Sequence, residues 1–129
     1  MKSKWVRPLF IVAGLYDGIL GLAFLMVPLQ IFEMYGVTPP NHLAYIQFPA
    51  LLLIVFAVMF FRIAMDPVGR RELMIYGSGL KVAYCAVAFF YAITTGIPSM
   101  WMPWAWMDLA FLVLFMVAWV KAGRASTVR

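Results

Sequence analysis

Three ionisable residues, Asp17, Lys81 and Asp108, stand inside long apolar runs. At the centre of a membrane-spanning helix such a side chain costs about 2.5–3.5 kcal/mol on insertion scales, so it turns inward, pairs, and often marks a site. One base between two acids supports two chemistries. It can be a buried ion pair that fixes how helices pack. It can equally be the polar end of a site that binds a ligand or handles a proton. A charge left facing lipid is the third reading. Two neutral groups join the set. Gln47 enters its run near the layer of Asp108, and Tyr84 lies three residues after Lys81, on the same side of a helix. The candidate ligand-binding or buried polar cluster is therefore Asp17, Gln47, Lys81, Tyr84 and Asp108. No spacing of His and Cys suits a metal, and there is no phosphate loop, dinucleotide fingerprint or nucleophile elbow. Neither a catalytic residue nor an enzyme activity can be read from the residues.

The elements that must carry these residues are four apolar runs. Of 129 residues, 66% are hydrophobic and 12% charged, against about half and a quarter in a soluble domain. Mean hydropathy is +0.95. The runs cover about residues 8–27, 43–63, 73–95 and 103–120, and each suits a spanning helix of roughly 20 residues. The expected fold is all-α, a single transmembrane domain over residues 1–129 with short loops. Pro28 ends the first run, and Leu29 to Tyr35 mixes Gln30 and Glu33 with apolar neighbours, as a short interfacial helix would. Asn41 is positioned to cap the second span. Asp66-Pro67 is positioned to end that span and start the next. Pro49 permits a kink. The first run is too long to be a cleaved signal, holds Asp17, and lacks a small-residue cleavage site.

Basic residues set the expected orientation. Lys2, Lys4 and Arg7 precede the first run; Arg62, Arg70 and Arg71 flank the middle connection; Lys121, Arg124 and Arg129 follow the last. The two other connections have no Lys or Arg. The positive-inside rule makes both termini cytoplasmic. It also accounts for the net charge of +5 without nucleic acid. Trp101, Trp104 and Trp106 are expected as an outer aromatic belt, with Trp5 and Trp119 near the inner face. A rise of 1.5 Å per residue places Asp17 roughly 14 Å, Lys81 roughly 12 Å and Asp108 roughly 20 Å from the inner face. A lysine stem spans most of that difference.

The helix faces agree. Gly14, Asp17, Gly18 and Gly21 share one side of the first span; Gly77, Lys81, Tyr84 and Ala88 one side of the third; Gln47, Ala50, Ile54 and Ala57 one side of the second. Small residues beside polar ones point these faces at protein. The lone Cys85 reads as a small buried hydrophobe. His42 lies in an outer loop, where a solvated or interfacial role is expected.

The stretches Leu15 to Gly21 followed by Pro28, Gln47 to Ala50, Gly79 to Lys81 and Trp106 to Asp108 resemble the DoxX-like group of small bacterial four-helix membrane proteins. The resemblance implies a four-helix bundle and, for some relatives, association with quinone-linked respiratory or redox complexes. It implies no catalytic residues. The sequence thus leads us to expect a multi-pass protein of the bacterial cytoplasmic (inner) membrane. Its expected role is an accessory subunit or a lipid- or quinone-like ligand-binding protein, with the bilayer, other membrane subunits or a second copy as partners. The alternatives are a membrane-embedded enzyme on an apolar substrate (an isomerase or redox accessory) and a small proton-coupled transporter. No cofactor is evident beyond a quinone or lipid.

Overall fold

The computed structural model describes residues 3–128, with side chains as far as Ala125. Lys2 and Arg129, two of the basic residues counted above, lie outside the described residues. The elements run in the order α1 (Val6–Met26), α2 (Pro28–Met34), α3 (Ala44–Met65), α4 (Leu73–Ile93), a 3-10 turn (Ser99–Trp101) and α5 (Met102–Val128). There is no strand among the described residues. The four long helices have 21, 22, 21 and 27 residues, hence lengths of roughly 31–40 Å, enough for a hydrocarbon layer of about 30 Å. All four are apolar enough to cross it. Large apolar side chains such as Ile19, Phe48, Val55, Val87 and Val113 are exposed on the outside of the bundle, as suits a surface solvated by lipid. The protein is an all-α, multi-pass membrane protein.

Several boundaries differ from the sequence reading. α1 begins at Val6, so Pro8 falls in the first turn, where no intrahelical partner is lost. α5 continues past Val120 to Val128, because nothing in the basic tail breaks a helix. Asn41 does not cap α3. The backbone N–H of Ala44 instead donates to His42 Nδ1 at 3.1 Å, an imidazole acceptor replacing the expected amide. Nor does Asp66 cap α4. Its Oδ1 accepts from the Gly69 N–H at 3.1 Å, closing a turn, and α4 starts only at Leu73. α2 is the short helix expected after the first span. It ends in Gly36 at φ 65°, where Val37 N–H donates to the Phe32 carbonyl at 3.0 Å. That backbone needs a residue without Cβ.

The bundle is two helix pairs set side by side: α1 lies along α3, α4 lies along α5, and the pairs meet less closely. Glycines allow the first approach. A Cβ on Gly21 would stand 2.7 Å from the Ala50 carbonyl oxygen, and one on Gly18 would stand 3.4 Å from the Ala57 Cβ. Gly77 of α4 lies against the Phe60 ring of α3. The half of the bundle holding the N-terminus of α1 is filled by rings. Phe10 and Phe115 stack at 4.8 Å, and Phe60 and Phe115 tilt at 5.2 Å. Ile63 and Met74 complete this core. Two arginines tie the same end: Arg7 Nε donates to the Ala64 carbonyl at 2.9 Å, and Arg71 Nε to the Trp119 carbonyl at 2.7 Å. The opposite end is closed by Phe24, Phe32, Met100 and Trp101, with Phe24 and Trp101 stacked at 5.7 Å.

Candidate functional site

Lys81 has no exposed surface. Its Nζ donates to Asp17 Oδ1 at 2.9 Å and to Asp108 Oδ1 at 3.0 Å. Three helices thus meet on one ammonium, and the bond to Asp17 crosses between the two helix pairs. Rings surround the rest of the ammonium, with centroids of Phe111, Tyr16 and Phe60 at 5.1, 5.4 and 5.7 Å. Such distances allow the negative face of a ring to stabilise a cation. A buried charge survives only when its partners replace water, and here two carboxylates and three rings do so.

Beyond the triad, toward the Phe24–Trp101 end, lies a cavity of about 430 Å³. Pockets that hold small molecules have volumes of about 300–1,000 Å³. Asp17 and Asp108 form its polar end. The remaining walls are apolar or aromatic, with Leu20 from α1, Ile46, Ala50 and Leu53 from α3, and Tyr84 and Ala88 from α4. Trp101 and Trp104 close the side facing α5. Leu52 and Val87 line the cavity and are also 40% and 57% exposed on the outer surface. The cavity therefore reaches the lipid-facing side between α3 and α4, where the two helix pairs meet.

The five candidates divide. Asp17, Lys81 and Asp108 form the triad. Tyr84 lines the cavity, and its Oη donates to the Trp101 carbonyl at 2.7 Å, fastening α4 to the 3-10 turn that closes the end. Gln47 corrects the reading of one cluster: it neither hydrogen bonds to the triad nor lines the cavity. Ile46, Pro49, Ala50 and Leu53 take the inward stripe of α3. Gln47, next to Ile46, is half-buried, and the α1 glycines Gly18 and Gly21 meet Ala57, Ile54, Leu53 and Ala50 of α3. Two tryptophans also differ from expectation. Trp101 and Trp104 face inward as cavity walls, and only Trp106 of the three is largely exposed. Trp119 lies under Arg71, 3.8 Å from its guanidinium carbon.

Comparison with protein-family models, curated proteins and solved structures finds no match for this chain.

Two polar atoms at the cavity residues are buried with no partner in the structure: Asp17 Oδ2 and Trp104 Nε1. Buried polar groups are nearly always hydrogen bonded, so an orphan calls for a partner. The sequence marked Asp17 as polar, but Trp104 resembled an interfacial anchor there. Its position four residues before Asp108 on the same helix face was the signal that it looks inward. Among the described residues no group of three or more His, Cys, Asp or Glu side chains could hold a metal ion.

Proposed function

We propose that this protein binds an amphipathic, lipid-like molecule within the bilayer, its chain in the apolar cavity and its head at the Asp17–Lys81–Asp108 triad. The cavity carries this reading: a mostly apolar space of about 430 Å³ with two carboxylates at one end. The opening between α3 and α4 gives such a molecule a route from the membrane without crossing water. The aromatic packing of Phe10, Phe60 and Phe115 beyond Lys81 favours a dead-end site over a path through the bundle, and so a binding role over a transporter. The membrane is the bacterial cytoplasmic membrane, and the basic ends of the helices face the cytoplasm. The resemblance of the polar residues to the DoxX-like pattern agrees with a quinone- or lipid-associated accessory role beside other membrane subunits.

The test uses a side chain that fills the cavity without touching the triad. Ala88 is 1% exposed and lines the cavity, so Ala88→Phe replaces ligand volume with a ring. Wild-type protein purified in a mild non-ionic detergent should retain a near-stoichiometric amphipathic molecule, read by native mass spectrometry. Ala88→Phe, if it unfolds at the wild-type temperature or above, should retain none. Equal retention by both proteins, or none by the wild type, overturns the reading.

A further inference from the structure

We infer that the site selects a chain with a positively charged ammonium head, with Asp108 as its counter-ion. This rests on reading the cavity as a ligand site, and adds which head it takes. Charge and access carry the assignment. The triad has two carboxyl groups and one ammonium, so with both acids ionised one negative charge is left over. A buried charge is costly unless it is paired. No Lys, Arg or His lines the cavity, and its only charged wall residues are Asp17 and Asp108. Access separates the three members of the triad. The side chains of Lys81 and Asp17 are 0% and 1% exposed, and that of Asp108 is 10% exposed. Asp108 Oδ1 accepts from Lys81. Its Oδ2 accepts no hydrogen bond and is not among the fully buried atoms without a partner, so it keeps surface on a wall residue of the cavity. The charge that a ligand head meets is therefore a carboxylate, and the one cation is closed off behind it. The unpartnered Tyr16 Oη, Asp17 Oδ2 and Trp104 Nε1 are fully buried and take no part in this contact. Rings complete the site. Trp104 lies one turn before Asp108 on the same face of α5, and it lines the cavity with Trp101 and Tyr84. Aromatic faces stabilise an ammonium, more strongly away from water. An anionic head finds no cation to meet and adds to the excess negative charge. A neutral head leaves that charge unpaired.

The experiment compares heads on one chain. Full-length protein in dodecyl maltoside micelles at neutral pH is titrated with equal mole fractions of dodecylammonium, 1-dodecanol or dodecanoate. Binding is read from the rise in unfolding temperature, with Ala88→Phe as the baseline for effects on the micelle. The expected result is that dodecylammonium binds about tenfold more tightly than either competitor, the ratio for one hydrogen bond to a charged group. Asp108→Asn keeps an amide oxygen for Lys81 and removes the excess negative charge, so dodecylammonium should fall to near parity with 1-dodecanol. If that variant does not fold, Trp104→Leu removes a ring beside Asp108 and leaves the triad intact, and dodecylammonium binding should weaken more than 1-dodecanol binding. Equal binding of the three chains, tighter binding of 1-dodecanol or dodecanoate, or a preference unchanged in the variant overturns the ammonium assignment and leaves the ligand site standing. No stabilisation of the wild type by any of the three overturns both.

Discussion

The Lys81 ammonium has two carboxylate oxygens at 2.9 and 3.0 Å and no exposed surface, so removing it should cost far more than losing a surface charge. Lys81→Met leaves Asp17 and Asp108 facing each other with no cation. Breaking a buried pair in this way destabilises by about 3–5 kcal/mol, and unfolding in detergent should shift down accordingly. A second change, Asp17→Asn, removes the carboxylate most deeply left without its partner and should restore part of the loss. A double-mutant cycle on thermal unfolding reads this coupling, with about 1 kcal/mol or more expected for contacting residues. Strict additivity would mean that the triad is not a unit in solution. Much of this arrangement was legible in the sequence. Counting residues from the helix ends puts Asp17 and Lys81 at nearly one depth, and a lysine stem closes the gap to Asp108. Gln47 was misjudged because depth alone does not fix direction. It has the right height, but α3 is rotated so that Ile46, Ala50 and Leu53 line the cavity in its place.

Helix rotation is also what the sequence reveals least at the scale of elements. A helix that is apolar nearly all round has no wet face to contrast with its buried one, so hydropathy located the spans and left their settings to the small residues. Those did inform: Gly14, Gly18 and Gly21 all lie against α3. The inward turn of Trp101 and Trp104, and the cavity they wall, follow from packing between helices that no single run encodes. The glycines divide sharply in what they permit. A Cβ on Gly21 would stand 2.7 Å from a backbone oxygen of Ala50, which cannot move without shifting α3. One on Gly79 would meet nothing within 4 Å. Gly21→Ala should therefore destabilise by about 1–3 kcal/mol, the usual cost of overpacking. Gly79→Ala should be neutral or raise stability by up to about 1 kcal/mol, since alanine loses less freedom in a helix. Thermal unfolding of the two variants side by side checks this. An equal loss in both would remove close approach as the reason for the α1–α3 pairing.

In the whole molecule, the start of α1, the end of α3, the turn before α4 and the end of α5 gather at one end. Arg7 binding the Ala64 carbonyl and Arg71 binding the Trp119 carbonyl bring them together. Arg62, Arg70, Lys121 and Arg124 lie in these same segments. The other end, with α2 and the 3-10 turn, has neither Lys nor Arg between Pro28 and His42 or between Gly96 and Trp104. Moving Lys or Arg across a membrane is unfavourable, and short loops rich in them stay cytoplasmic. The cavity lies in the half away from the basic end, so the orientation also decides which leaflet its opening faces. The prediction follows in a background with Cys85 replaced. Single cysteines at Thr38 and Ser99, both exposed, should react with a membrane-impermeant maleimide in intact cells. A cysteine at Val68, in the turn between α3 and α4, should react only after permeabilisation. The reverse pattern would turn the protein over and set the opening of the cavity in the cytoplasmic leaflet. Labelling of all three in intact cells would mean that the helices do not cross as four spans. With the expected pattern, the opening between α3 and α4 faces the outer half of the bilayer, and molecules confined to the inner leaflet must flip before they can reach the triad.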